Sequence, residues 1–341
     1  MSNTAVHAES AVSPDRVLGL GNAFWVSQMM SAAAHYRFFT LIAKGHRTAA
    51  AIAKAAGTDP RGTRMVLDGL AAVDVIGKTR DGYTLPADTE AFLVEGRPGD
   101  LTPMFDVHTN LVWSKWGKLT EALKDPEQVR QYIDLDEAQA FFPRLVRAIL
   151  PLGLGPADAL ADYLGVGRSR KGVRVLDIGV GGGAWSMPFA RRDPQSTITG
   201  FDLPETLKES RTIIAENGLT ARYRFVEGNL LDADFGSNAY DFVVLGNMCH
   251  GLTPAQNRDL FARSHRALVP GGQLVIADMI PNDERSGPPF PVLFAVNMFV
   301  MGGEDVYTLP EYKTWLNETG YRDVRTFDTK RSHSPVIIAA K

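Results

Sequence analysis

The stretch "VRVLDIGVGGG" (Val173–Gly183) constrains the chain more than any other. An aliphatic run suited to a buried strand ends in Gly179, Gly181 and Gly183. Glycine lets the backbone turn tightly and approach a ligand without a Cβ clash. Four further strand-like runs follow: "STITGFDLP" (Ser196–Pro204), "YRFVEGNLL" (Tyr223–Leu231), "YDFVVLGN" (Tyr240–Asn247) and "GQLVIADMI" (Gly272–Ile280). Helices fit the gaps, as at Trp185–Arg191 and Pro254–Leu268. Strands alternating with helices imply a mainly parallel, doubly wound α/β sheet covered on both faces. Ligands bind such sheets outside the carboxyl ends of the strands. Asp177, Asp202, Asn229, His250 and Asp278 all fall at or just after those ends.

The glycine turn alone fits more than one ligand, because Gly179–Ala184 also satisfies the G-x-G-x-x-G/A dinucleotide pattern. Asp177, two residues before the first glycine, separates the readings. A carboxylate there would repel a pyrophosphate and welcome an ammonium group. Asp202, ending the second strand, suits the two hydroxyls of a ribose. S-adenosylmethionine carries both an ammonium group and a ribose.

The first third has a different grain. Val17–Ile42 is apolar on more than one face, so it must be buried on several sides. Thr48–Ala56 predicts a helix closed by Gly57, and Asp59-Pro60 opens the next. Asp81-Gly82 lies between two short strand-like runs, a hairpin signal. Helices followed by a small hairpin give the winged-helix order. Yet Asp59–Ile76, the segment that would read DNA, sets Arg61 and Arg64 against Asp59, Asp68 and Asp74. A groove-reading helix should supply cations, so no nucleic-acid partner is expected. The surplus apolar surface suits a dimer contact instead. Leu101–Leu164 reads as a helical connection with Trp113, Trp116, Tyr132, Phe141 and Phe142 as packing or pocket aromatics.

Composition adds exclusions. Of 341 residues, 45% are hydrophobic and 22% charged, with a net charge of −3, which is ordinary for a globular chain. The apolar run Phe290–Met301 is shorter than the roughly 20 residues a membrane helix needs, so no membrane partner is expected. The one cysteine cannot form an internal disulfide, which fits the cytoplasm. No histidine spacing suggests a metal site.

"VLDIGVGGG", "GFDLP", "GNLL" and "LVPGGQLVIAD" together resemble the successive motifs of class I S-adenosylmethionine-dependent methyltransferases. With the preceding winged-helix-like module, the chain after residue 17 resembles the dimeric small-molecule O-methyltransferases. The resemblance implies a tail over 1–16 and an all-α, winged-helix dimerisation domain over 17–100. A helical linker contributing to the substrate pocket follows over 101–170, then a Rossmann-like S-adenosylmethionine-binding domain over 171–341. It implies a homodimer acting on a small-molecule acceptor, aromatic or polyketide-like. It assigns the methionine end of the cofactor to Asp177, Gly179, Gly181 and Gly183, with Asn247 beside them. The ribose falls to Asp202 with Leu203, and the adenine to Asn229 and Leu230.

The same resemblance makes His250 the general base, since a phenol ionises only near pH 10 and histidine titrates near neutrality. Asp278 is its expected acidic neighbour, and either Glu304 or Asp305 in "MGGEDVYT" the second acid. Gly251 stands where relatives carry a side chain beside the base, which leaves methylation at carbon open. An NAD-dependent oxidoreductase and a cofactor-sensing winged-helix regulator are the rivals from other classes. Asp177 argues against the first and the charge of Asp59–Ile76 against the second. Cys249 beside His250 suggests a nucleophilic pair, but neighbours in an extended segment point opposite ways, so it is read as a bystander.

Overall fold

A computed structural model describes residues 12–125 and 135–341, apart from the side chains of residues 135–140. Tyr132 and most of the expected tail lie outside the described residues. The chain divides into two compact units, Met1–Asp106 and Val107–Lys341.

In the first unit, five helices run from Asp15 to Ala72, so Asp15 and Arg16 are helical rather than tail. The Thr48 side chain caps helix Ala49–Ala56, and Gly57 ends it at φ 70°. Asp59 caps helix Pro60–Ala72 by accepting from the Gly62 N–H at 2.7 Å. Strands β1 (Gly77–Thr79) and β2 (Gly82–Thr84) pair antiparallel with Thr79 opposite Gly82. The turn is therefore Arg80-Asp81, one residue earlier than the Asp-Gly signal suggests. Phe38, Phe39, Ile52, Leu67 and Leu70 form the core of this unit. The expected all-round burial of Val17–Ile42 holds only for its second half. Leu18, Leu20, Phe24 and Trp25 are 58%, 66%, 49% and 56% exposed in the single chain.

The second unit is built on seven strands. β3 (Arg174–Ile178), β4 (Thr197–Asp202), β5 (Tyr223–Glu227), β6 (Tyr240–Gly246) and β7 (Leu268–Ala277) are followed by β8 (Arg322–Phe327) and β9 (Val336–Ala340). Their spatial order is β5-β4-β3-β6-β7-β9-β8. The first five are mutually parallel, and β9 pairs antiparallel with both β7 and β8. The last two strands are additions to the five that the sequence shows.

Side-chain alternation sorts the sheet residues onto two faces. Leu176, Ile178, Val243, Leu245, Leu274 and Ile276 meet Leu260 and Phe261 of helix Pro254–Ala267 and Tyr312 of helix Leu309–Glu318. Val175, Phe242, Val244 and Val275 meet Leu160 of helix Leu135–Tyr163 and Phe189 of helix Met187–Arg192. Each such fully buried aliphatic or aromatic side chain is worth about 1.5–3 kcal/mol, so both layers fix the sheet firmly. From β3 the chain winds outward through β4 and β5, then returns to place β6 on the other side of β3. A crevice opens at that reversal, over the ends of β3 and β6.

Candidate functional site

A cavity of about 310 Å³ occupies this crevice. Asp177, Gly179, Gly181, Asp202, Leu203, Asn229, Leu230 and Asn247 all line it. Gly183 does not line it, but it completes the turn at φ 74° after Gly179 at 69° and Gly181 at 48°. L-residues with a side chain rarely adopt that conformation. Helix Leu135–Tyr163 walls the cavity with Val146, Ile149, Leu150 and Gly153, spaced to share one helical face.

The two carboxylates differ. Asp177 is 2% exposed, and its Oδ2 accepts from the Ser186 hydroxyl at 2.5 Å. Ser186 in turn lies 2.9 Å from the Tyr223 hydroxyl. Burial, with the charge of Asp202 adding to it, pushes the Asp177 carboxyl up to about 8 against the Ser186 bond. Asp202 accepts from the backbone N–H of Gly181 at 2.9 Å and of Leu203 at 2.8 Å. Its pKa is raised by burial, against those two bonds. Asn229 turns its Oδ1 to its own loop, accepting from the Leu231 N–H at 3.0 Å. Asn247 holds a left-handed φ of 56°, and its N–H donates to the Ala277 carbonyl at 2.7 Å. Asparagine tolerates that conformation better than most residues with a side chain.

Beyond β6 the chain makes a single 3-10 turn, Cys249–Gly251. His250 Nδ1 sits 2.5 Å from Asp278 Oδ1, and the His250 backbone N–H donates to Asp278 Oδ2 at 3.0 Å. Asp278 also accepts from the Met279 N–H at 2.8 Å and the Tyr312 hydroxyl at 3.3 Å. Its carboxylate is thus an acceptor on every side, and it fixes Nδ1 of the imidazole as the protonated nitrogen. Nε2 is left as the basic position. The turn is clamped from behind. Asn257 is fully buried, and its amide donates to the carbonyls of Cys249 and Leu252 at 3.0 Å each. The Thr253 capping box starts the helix that carries it.

Cys249 lies in the core, fully buried, with its thiol pushed well up first by burial and then by the Asp278 charge. A thiol so protonated is a poor nucleophile. Asp305 accepts from the Val306 N–H at 2.7 Å and faces Arg285 at 3.6 Å. Glu304 has no described hydrogen bond or ion pair, and both described hydrogen bonds of His250 go to Asp278. The structure therefore joins His250 with Asp278 and joins neither acid of "MGGEDVYT" to them.

Sequence reading missed Ser186, Tyr223, Trp185, Asn257 and Tyr312. Capping boxes offered a signal for two of them: Thr253-Pro-Ala-Gln256 starts the helix that carries Asn257, and Thr308-Leu-Pro-Glu311 the helix that carries Tyr312.

The donor set fits S-adenosylmethionine. A buried carboxylate with no cation beside it among the described residues suits an ammonium group, and a second carboxylate at the next strand end suits vicinal hydroxyls. A glycine turn between them lets the ligand reach the backbone.

The sheet order, the crevice and this donor set together define a nucleoside-cofactor transferase of the class I methyltransferase type. Family models extend that from the site to the chain: an O-methyltransferase domain matches residues 169–322, and an O-methyltransferase dimerisation domain matches residues 18–95. The chain belongs to this O-methyltransferase family and is an S-adenosylmethionine-dependent enzyme. It is similar to the tetracenomycin polyketide synthesis 8-O-methyl transferase TcmO of Streptomyces glaucescens, 28% identical over 92% of this chain and 93% of that one. It is similar also to the 3-hydroxy-5-methyl-1-naphthoate 3-O-methyltransferase of Streptomyces sahachiroi, 27% identical over 92% and 91%. The crystal structure of human N-acetylserotonin methyltransferase in complex with S-adenosylmethionine shares the fold, with a TM-score of 0.84 at 22% identity. It covers 98% of this chain and 99% of that one.

Proposed function

We propose that this O-methyltransferase methylates a hydroxyl on a small, flat aromatic or polyketide-like acceptor, with His250 as general base. The observation that carries the reading is the 2.5 Å bond between His250 Nδ1 and Asp278. It orients the ring so that Nε2 takes the hydroxyl proton, and it steadies the imidazolium that results. The cofactor supplies the methyl group, transferred in line from its sulfonium. Asp177 and the glycine turn hold its methionine end with Asn247. Asp202 and Leu203 hold the ribose, and Asn229 and Leu230 flank the adenine.

Three features support an aromatic acceptor. The two Streptomyces relatives are named for a polyketide pathway and a hydroxynaphthoate. The Phe294 ring stands edge-on to His250 with centroids 5.0 Å apart. Phe290, one turn earlier on helix Pro289–Met301, stacks on Phe294 at 6.0 Å. Asn297, the one polar residue of that helix, accepts from the Trp116 indole at 2.9 Å. It is the polar point of an otherwise apolar helix. Of the two acids, Glu304 is the better candidate to face the acceptor, because Asp305 is engaged by Arg285 and its own loop. A homodimer through the exposed Leu18–Trp25 surface and a cytoplasmic location complete the reading.

His250→Ala should lower methyl transfer about 10²–10⁴-fold, the usual range for a lost general base, while leaving S-adenosylhomocysteine binding within twofold. Turnover and calorimetry on the same preparation check both halves. Retention of most of the activity would remove His250 from the chemistry.

A further inference from the structure

Trp185 follows the glycine turn directly and is 8% exposed, on the cavity wall. Its indole N–H is fully buried and has no hydrogen-bond partner among the described residues. Leaving a buried donor unmade costs about 1–3 kcal/mol, so such a group calls for an explanation. The surroundings are shaped for the indole. A Cβ on Gly246 would lie 2.3 Å from Trp185 Cδ1 and 3.0 Å from Nε1. A Cβ on Gly153 would lie 2.8 Å from the Ala184 Cβ, too close to be tolerated, with the same indole nitrogen at an ordinary 3.4 Å. Both glycines line the cavity, one at the end of β6 and one on helix Leu135–Tyr163. The N–H edge is therefore flanked by two cavity-wall positions that cannot carry side chains.

Register places that edge along the cavity. Ile178 pairs with Leu245 across β3 and β6, so Gly246 lies level with Gly179. That is the end of the cavity where Asp177 awaits an ammonium group. An amino acid moiety bound there through its ammonium presents a carboxylate within the same few ångströms, and Asp177 itself repels it. A neutral donor is what that carboxylate needs.

We propose that the Trp185 indole N–H donates to the carboxylate of the cofactor's methionyl moiety, making Trp185 a positioning residue for the methyl donor. The assignment rests on the cofactor reading above. Two charges of opposite sign are then held by two groups on one turn, which fixes rotation about the amino acid end and so the aim of the sulfonium.

The test uses full-length ¹⁵N-labelled protein and two ligands: S-adenosylhomocysteine, and its analogue lacking the carboxylate. The chain has 5 tryptophans, so the indole signals are few, and Trp185→Phe identifies one of them. If that variant fails to fold, Trp→Phe changes at the other four positions identify it by elimination. S-adenosylhomocysteine should move the Trp185 indole signal downfield and slow its exchange with water, and the decarboxylated analogue should not. By calorimetry, Trp185→Phe should weaken S-adenosylhomocysteine about ten- to a hundredfold, as for a hydrogen bond to a charged group. The analogue should change less than twofold. Equal weakening of both ligands, or an indole signal that responds equally to both or to neither, would show that Trp185 only packs the wall. If the wild-type chain binds neither ligand, the cofactor reading falls and this assignment falls with it.

Discussion

The site turns on what surrounds single polar groups. Asp177 is the sharpest instance: a carboxylate with one hydroxyl for company, raised by burial to about 8. Its folded value lies above its unfolded value, so the native state binds the proton more tightly. Its contribution to stability is therefore full below the unfolded value near 4 and fades as pH rises through about 8. In ligand-free protein, melting temperature plotted against pH should slope downward over that window more steeply in wild type than in Asp177→Asn. An ammonium group beside Asp177 reverses the preference. Binding of S-adenosylhomocysteine at pH 7 should then release most of a proton per site. Calorimetry in buffers of differing ionisation enthalpy reads that number directly, and zero release would mean that Asp177 keeps one protonation state through binding, against this prediction.

Elements explain which parts of the site could be read in advance. His250 and Asp278 were visible because two parallel strands end side by side, at Gly246 and Ala277, which pair in register. Asp177 and Asp202 were visible for the same reason on β3 and β4. Tyr312 was not, since it reaches Asp278 only after helix Leu309–Glu318 packs on the sheet. Strand β8 escaped because "RDVRTF" carries three charges and is only partly buried. "VIIAA" is too short an apolar run to tell strand from helix. The π-helical turn His108–Val112 has no sequence mark at all.

Two glycines near the site make opposite predictions at this scale. Gly251 has an ordinary φ and open space around it, so Gly251→Ala should be tolerated or stabilise by up to about 1 kcal/mol. Gly179 sits at φ +69°, and a Cβ there would lie 2.3 Å from the Met248 sulfur. Gly179→Ala should cost more than about 1 kcal/mol and weaken S-adenosylhomocysteine at least tenfold. Thermal unfolding and calorimetry on both variants check the contrast.

At the scale of the molecule, the exposed Leu18, Leu20, Phe24 and Trp25 form an apolar surface that a lone chain would not keep in water. The match to a dimerisation domain over 18–95 supports the proposal that this surface is the dimer contact. Leu18→Glu with Trp25→Glu should convert a dimer into a monomer by light scattering. A wild-type chain that is already monomeric at micromolar concentration would remove that explanation.

The reversal of winding between β3 and β6 reaches further still. Val175 and Phe242 are strand neighbours although the whole of β4 and β5 intervenes in the chain. A ligand bridging the ends of those two strands ties distant parts of the chain together. At a hundredfold excess over its Kd it adds about 2.7 kcal/mol to stability, and for a unit of this size that raises the melting temperature by about 5–10 °C. A thermal scan with and without S-adenosylhomocysteine measures it. The methyl donor is then also a guard against proteases, so cells short of it should clear this enzyme faster, and its abundance should follow the supply of the donor it spends.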